Sequence, residues 1–490
     1  MPGRYDDIMS LSVRKGFIWP TADIYGGFGG FYDYGHLGAG LKRKWEDAWL
    51  RHFVKSEDNY YLVDTTTILP YRSLKASGHV DHFSDVMAKC SKCGESFRGD
   101  QLLEDATGAS AEGMSPDEID AKLGELRLKC PECGGEFEAT EPFNMMFPLA
   151  VGPAGTDDAF LRPETAQGVY LNFKREFEAL RRRIPMGLAI IGRAFRNEIS
   201  PRQGTYRMRE FVQAELQIFF DPEDEDFPSS MCLSDFDGLA LRVSFEEDRD
   251  NVQALSCQDL VDKGLPWFYV AHMAKVQSFY TDLLGYPPEK FRFAELGEGE
   301  RAFYNKIHFD IQIDMGSLGG FKEVAGVHYR TDHDLSGHEK ESHEKMSVSS
   351  KGRRFIPHVL ELSFGVDRNV WSLLDMFYEK NERSILKLPP TLAPIEAGVF
   401  PLLSKDGLPE LARKVYADLR KEFDCFYDAS GSIGKRYARM DEIGTPYCIT
   451  IDHDSLKDNT VTVRERDTTD QTREGIDALP DVLRKLLRTF

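Results

Sequence analysis

The sequence predicts an α+β domain interrupted by a cysteine-rich metal knuckle and followed by a small α/β domain. Three observations lead there. Residues 187–220 read as strand, loop and strand, because the apolar runs Leu188–Ile191 and Leu216–Phe220 are short and rich in residues that suit a buried strand. Two Cys-x-x-Cys pairs, Cys90/Cys93 and Cys130/Cys133, fall inside residues 88–137. From about residue 390, short apolar runs alternate with helical patterns, the order expected of an α/β sheet. At 490 residues with 41% hydrophobic side chains, the chain exceeds one hydrophobic core and can fill two or three.

Taken in order, the Gly26–Gly35 stretch (GGFGGFYDYG) is flexible and aromatic. No helix pattern follows at the offset a phosphate-binding P-loop requires, and no Gly-Lys-Ser/Thr is present. Residues 36–56 place Leu37, Leu41, Trp45, Ala48, Trp49 and Phe53 at helical spacing, one continuous apolar face. The run YYLVDTTTIL, residues 60–69, reads as one strand ended by Pro70. Each cysteine pair is followed by a glycine, Gly94 or Gly134, which lets the backbone turn its amides toward sulfur. Four thiolates then complete a closed tetrahedral zinc site, structural rather than catalytic. Between the pairs, Ser115-Pro116-Asp117-Glu118 supplies the cap, proline and acids of a helix start, and the helix is expected to run to Arg127.

The loop of the 187–220 unit carries Arg193, Arg196, Glu198, Arg202, Arg207, Arg209 and Glu210, with Phe195, Tyr206 and Phe211 interleaved. Arginine pairs with phosphate oxygens through two parallel hydrogen bonds. A ring such as Phe211 offers a flat face to a purine, and Glu198 can accept from an exocyclic amine. These are the parts of a grip on a nucleoside triphosphate. Residues 221–300 turn acidic (DPEDEDF, SFEEDRDN) and then aromatic and helical (FYVAHMAKVQSFYTDLLGY), and read as an insertion packed on the domain. The run Glu361–Arg368 (ELSFGVDR) stands just before an apolar helix. His328, His333, His338 and His343 match no zinc-ligand spacing and read as polar loop residues. Leu388-Pro389-Pro390 breaks the preceding helix. Strands AGVFPLL, CFYDAS, PYCITID and TVTVRERD then alternate with helices LPELARKVYADLRKEF and GSIGKRYARMDEIG, before a last helix from about Leu479.

Phe195-Arg196-Asn197-Glu198 followed by Arg207-x-x-x-Phe211 resembles motif 2 of the class II aminoacyl-tRNA synthetases, and Glu361–Arg368 resembles their motif 3. The 36–56 helix with its strand and Pro70 is similar to motif 1, the dimer interface, and the Gly26–Gly35 stretch to its structural entry. The resemblance covers most of the chain and is closest to the glycyl-tRNA synthetases of the single-chain, homodimeric type. It implies a catalytic domain built on an antiparallel sheet over residues 1–390, with a zinc-binding insertion at 88–137 and a second insertion at 221–300. It also implies an α/β anticodon-binding domain over residues 391–490, on the strength of GSIGKRYARMDEIGTPYCI. The implied activity is ATP-dependent formation of glycyl-adenylate with release of pyrophosphate, then transfer to the terminal adenosine of tRNA(Gly). The family can also make diadenosine tetraphosphate.

Carried onto this chain, the family's machinery implies Arg196, Glu198 and Arg368 as catalytic. Its ATP site falls on Arg196, Asn197, Glu198, Tyr206, Arg207, Met208, Arg209, Glu210 and Phe211, then Glu323 and Val324, then Gly365, Val366, Asp367 and Arg368. Arg196 matches the contact to the α-phosphate and substrate carboxylate, Glu198 the reader of the adenine amine, Arg207 the γ-phosphate contact, and Phe211 and Arg368 the two faces around adenine. The glycine site falls on Arg98, Glu164, Phe211, Gln213, Glu215, Arg330, Glu361 and Ser363. Glycine offers no side chain to hold, so such a pocket must exclude anything larger while carboxylates pull on the ammonium. Magnesium, accompanying ATP and needing hard oxygen ligands, falls to Glu323 and Glu361.

Composition bounds the rest. Eight cysteines, four of them in the two pairs, fit metal binding in a reducing compartment rather than disulfides. No run of about eighteen apolar residues suggests a membrane span, and the N-terminus lacks the apolar core of a secretory signal, so a cytoplasmic protein is expected. The net charge of -20 argues against a nucleic-acid partner. The tRNA expected from the resemblance must therefore meet local basic patches such as Arg181–Arg183 or Lys435, Arg436 and Arg439. From residue 394 onward, 15 Lys and Arg face 18 Asp and Glu, much nearer neutrality. Histidyl and threonyl enzymes share the C-terminal domain type but lack the RPETAQG and ELSFGVDR combination. A catalytically silent RNA-binding relative would have lost Arg196, Arg207 and Arg368, all present here.

Overall fold

The computed structural model describes residues 3–488, apart from 109, 110, 112, 154, 156, 202, 225, 226, 229, 303, 381 and 382. Arg202 of the expected phosphate loop and part of the DPEDEDF run thus lie outside the described residues. The centre of the molecule is a nine-stranded sheet. Its six middle strands, Phe291–Glu295, Ile307–Met315, Gly320–Thr331, His358–Gly365, Glu210–Phe220 and Met186–Phe195, pair antiparallel throughout. Tyr60–Leu62 adds a parallel strand at one edge, and Ala240–Ser244 with Gln253–Ser256 extends the other. The 221–300 segment therefore continues the sheet as strands.

Strand residues alternate between the two faces of this sheet. On one face Phe309, Ile311, Val327, Leu360, Leu362, Phe364, Leu216 and Ile218 are buried. They pack under helices His36–Trp49, Trp267–Ser278 and Val366–Phe377. On the other face the register lines up two polar rows. His308, His328, Glu361 and Gln217 are successive cross-strand neighbours, and so, two residues along each strand, are Asp310, Gly326, Ser363 and Glu215. One face is core and the other is a site.

The 36–56 pattern forms an α-helix to Trp49, then a wider π turn over Leu50–Val54. Its apolar stripe is covered within this chain: Trp45 and Trp49 are 0% exposed, and their rings, with Phe53, pack against Phe279 and Phe364. The periodicity thus reports packing into the protein's own core. The single strand expected over residues 60–69 is two short ones, Tyr60–Leu62 and Ile68–Pro70. They belong to different sheets, the second pairing with Asp157–Leu161. The intervening Asp64-Thr65-Thr66-Thr67 turns the chain, with Thr66 Oγ1 accepting from the Ile68 N–H at 3.2 Å.

Around the cysteines lies a three-stranded sheet of Ser84–Lys89, Ser96–Arg98 and Glu141–Asn144 with two helices, Gly99–Thr107 and Pro116–Glu125. The second begins at the expected cap, Ser115 and Glu118 exchanging hydrogen bonds as a capping box. It stops at Glu125, short of Arg127, whose φ of +50° belongs to a left-handed turn. After Pro390 comes a five-stranded mixed sheet in the order Cys425–Tyr427, Ala397–Pro401, Tyr447–Ile451, Thr460–Glu465 and Gln471–Gly475. Helices Leu408–Leu419, Ile433–Ile443 and Leu479–Arg488 accompany it. This sheet abuts the 36–49 helix, where Lys44 Nζ lies 2.6 Å from the Glu396 carboxylate. Among the described residues no helix is long and apolar enough to cross a membrane.

Candidate active site

The polar face of the large sheet forms the floor of a cleft roofed by the loop between the two long hairpin strands and by the start of helix Val366–Phe377. Arg196, Glu198, Tyr206, Arg207, Met208 and Phe211 line one end with Glu323, Gly365 and Arg368. Their charges are already ordered. Arg368 Nη1 meets Glu323 Oε2 at 2.8 Å, its Nε donates to the Tyr206 carbonyl, and its guanidinium stands 4.9 Å over the Tyr206 ring. Arg207 Nε lies 3.2 Å from Glu198 Oε2. Arg196 is sandwiched between the rings of Phe211 and Phe83, each 5.3 Å away, and donates to the Pro163 carbonyl. Burial disfavours charge on Arg368, but Glu323 beside it holds the guanidinium firmly protonated.

The other end holds three carboxylates, Glu164, Glu215 and Glu361, in the same cleft as Arg196. Burial opposes ionisation of Glu164, yet His79 and Arg330 hold it well below the usual carboxylate range. Glu215, 2% exposed, takes hydrogen bonds from Thr165 Oγ1 at 2.5 Å and Ser363 Oγ at 2.9 Å. Burial together with the charges of Glu361 and Glu164 pushes it up to about 8. Glu361 Oε2 accepts from Arg330 Nη1 at 3.0 Å and Gln217 Nε2 at 2.7 Å. Burial raises the Glu361 carboxyl, an effect that Arg330 tempers. Gln213 completes the wall, and Gly326 and Ser363 the floor.

Several expected residues stand elsewhere. Arg330 is 1% exposed and lies behind the acids, forked onto Asp334 at 2.8 and 2.9 Å, where it neutralises the cluster without facing the cleft. Arg98 pairs with Asp85 and Asp100 inside the cysteine-rich unit and is off the cleft wall. That unit is strapped to the roof loop instead, Ser200 Oγ donating to the Ser96 carbonyl and the Asn197 N–H to that of Met145. Asn197 thus supports the loop by its backbone. Arg209 does so by its side chain, which donates to the Gly29 and Glu198 carbonyls, and Glu210 pairs with Arg193. Val324 and Val366 are fully buried on the core side. Asp367 reaches the cleft, but its oxygens accept from Tyr34 Oη and the Val212 N–H, both at 2.6 Å.

Residues not anticipated also gather here. Asp310 neighbours Glu323 closely enough that, after burial, the Glu323 charge is the main influence raising its carboxyl. Tyr304, Gly326 and His328 line the end that holds the three carboxylates, so His328 is a cleft residue rather than a loop histidine. His338 is also buried, bonded through Nε2 to Gln167 Oε1 at 3.0 Å. The alternation of HFDIQID carries Asp310, but which residue of a neighbouring strand stands beside it is set by register.

The four cysteine sulfurs lie within 4.8 Å of one another. Sγ atoms of Cys90 and Cys133 are 3.5 Å apart and those of Cys93 and Cys130 3.7 Å. A tetrahedron with metal–sulfur bonds of ~2.3 Å has edges of ~3.8 Å, so the cluster suits such an ion. The Cys93 and Lys92 backbone amides turn toward Cys90 and lower its thiol to about 6. Gly94 and Gly134, at φ of +77° and +68°, make both turns possible.

Comparison with known proteins places this geometry. The anticodon binding domain family matches residues 396–486. Over 98% of its length the chain superposes, with a TM-score of 0.59 and 13% identity, on 74% of a prolyl-tRNA synthetase from Cryptosporidium parvum solved with halofuginone and AMPPNP. The antiparallel sheet and the C-terminal mixed sheet share the fold of the class II aminoacyl-tRNA synthetases. Glycine–tRNA ligases narrow that class. The chain is 36% identical to that of Thermococcus sibiricus, with 99% of both chains covered. It is 37% identical to that of Aeropyrum pernix, over 99% of this chain and 97% of the relative. The chain belongs to the glycine–tRNA ligase family.

Proposed function

We propose that the cleft activates glycine with ATP at its two ends and then passes the glycyl group to the terminal adenosine of tRNA(Gly). The observation that carries the reading is the convergence of Glu164, Glu215 and Glu361 with Arg196 over a floor of Gly326 and Ser363. The acids take the substrate ammonium, which leaves its carboxylate directed at Arg196. Attack of that carboxylate on the α-phosphorus brings two anions together, so the fixed guanidiniums must offset charge as it spreads in the transition state. Arg196 serves the α-phosphate and the attacking carboxylate. Arg207 and Arg368 serve the leaving pyrophosphate, while Phe211 and Arg368 cover the adenine faces and Glu198 accepts from its amine. No side chain acts as nucleophile. In the second step a ribose hydroxyl of the tRNA attacks the activated carbonyl and AMP departs.

Magnesium arriving with ATP would supply further positive charge at the phosphates. Glu323 and the neighbouring Asp310 would hold it, while Glu361 stands among the carboxylates with Arg330 and Gln217 on its Oε2. Cys90, Cys93, Cys130 and Cys133 would hold zinc, which would order the unit that braces the roof loop. Residues 1–390 act as the catalytic domain and 391–490 as the anticodon reader, in a cytoplasmic homodimer serving translation. Glycine-dependent exchange of pyrophosphate into ATP, followed by glycylation of tRNA(Gly), tests the reading. Exchange dependent on another amino acid and not on glycine would refute it.

A further inference from the structure

We propose that His328, held in place by Asn305, is the specificity-determining residue that denies a side chain room in the amino-acid pocket. This rests on the reading of the cleft as a glycine site. His328 stands in the polar row between His308 and Glu361, diagonal to Gly326 and Ser363 on the floor. Its ring leans over Gly326: a β-carbon built there would lie 2.5 Å from His328 Nε2 and 3.3 Å from His308 Nε2. The two imidazoles, with centroids 4.1 Å apart, together fill the space above the smallest floor residue.

The direction of the substrate follows from Glu361. Its Oε2 takes hydrogen bonds from Arg330, Gln217 and Tyr170, whereas Oε1 faces His328 Nε2 at 3.8 Å. Oε1 is therefore the oxygen open to an ammonium. An ammonium bonded there at about 2.8 Å brings the α-carbon of the amino acid against the imidazole. Hydrogen suits that gap and a methyl group meets the ring.

A wall discriminates only if it is held in place. Asn305 Nδ2 donates to His328 Nδ1 at 3.0 Å and approaches His308 Nδ1 at 3.5 Å. One amide thus reaches both rings, whose Nε2 atoms point the other way, His308 toward Asp310 at 3.2 Å and His328 toward Glu361 at 3.8 Å. Turning the His328 ring over would put a carbon where Nδ1 meets Asn305 and so break that bond. Burial, with His308 and Arg330 nearby, also keeps His328 uncharged. Asn305 is the positioning residue for this arrangement.

The test compares glycine- and alanine-dependent pyrophosphate exchange. For His328→Ala the glycine-to-alanine ratio of kcat/KM is expected to fall by about tenfold or more, the scale set by one methyl group, with alanine-dependent exchange rising in absolute terms. His328→Gln, which restores bulk and an N–H, should keep the wild-type ratio. Asn305→Leu should lower the ratio by a smaller factor, and an unchanged ratio there removes the positioning role of Asn305. If turnover in His328→Ala is too slow, the relative melting shifts given by glycyl- and alanyl-sulfamoyl adenosine read the same ratio. A His328→Ala protein of wild-type melting temperature whose ratio is unchanged overturns the proposal. Absence of glycine-dependent exchange in the wild type would instead strike the reading of the cleft.

Discussion

Replacing Glu215 with glutamine removes an ionisable group from the proposed amino-acid pocket while keeping its shape. With the carboxyl pushed up to about 8, roughly nine in ten free molecules carry it protonated near pH 7. An arriving ammonium favours the ionised form, as an opposite charge nearby does. Capture at pH 7 therefore expels nearly one proton and is weaker by about 1.4 kcal/mol, or tenfold, than at a pH where the group is already ionised. The glycine KM of the wild type should fall about tenfold between pH 7 and pH 9. Calorimetry in buffers of different ionisation enthalpy should show about 0.9 proton released per glycine bound at pH 7. In Glu215→Gln both signals should vanish. Glycine KM should rise about 10- to 100-fold, reflecting the ~1.5–3 kcal/mol of a hydrogen bond to a charged group, while ATP KM should change by less than about twofold. Equal losses for both substrates, or proton release persisting in the variant, would refute the reasoning. The same proton gives a stability trend. Folded Glu215 keeps it to about 8, whereas an unfolded glutamate releases it near about 4.3. The native state binds more protons across that window, so stability falls as pH rises through it, and the glutamine variant should show a flatter profile.

Chelating the metal of the four-cysteine cluster should open residues 88–137 to limited proteolysis and weaken ATP binding through the straps at Ser200 and Asn197; an unchanged digest would count against a structural ion. Asp310→Asn should raise the magnesium concentration for half-maximal exchange severalfold and leave glycine KM nearly unmoved. An equal effect from Glu361→Gln on magnesium demand would return Glu361 to the metal. Trp45→Ala should destabilise the protein by about 3–5 kcal/mol, read as a lower melting temperature independent of protein concentration. A concentration-dependent loss would place that ring at a subunit contact instead.

Contiguous signals were legible in the chain. The hairpin around Arg196 and Arg207, the ELSFGVDR turn into its helix, the knuckle cysteines and the Ser115 cap all stand where their local patterns put them, because each depends on residues near in sequence. What was not legible depends on neighbours across strands. Nothing near Arg330 in sequence says that it faces inward, onto Asp334 one turn into the next helix and onto Glu361 of another strand. His328 and Asp310 alternate with apolar residues as any half-buried strand does, and only the register sets them beside Glu361 and Gly326. The 60–69 run looked like one strand because β-branched threonines suit strands, yet its Asp-Thr-Thr-Thr centre hydrogen-bonds locally and divides it.

The two polar rows have a further consequence. Each draws its members from four strands scattered over more than 140 positions of chain, from Glu215 to Ser363. Sliding a pairing by a single residue would turn a floor residue away and bring a core side chain such as Phe309, Val327 or Leu362 into its place. Selectivity and correct threading are therefore one event: a misaligned copy is inert rather than promiscuous, so a mis-threaded molecule has no route to charging the wrong amino acid.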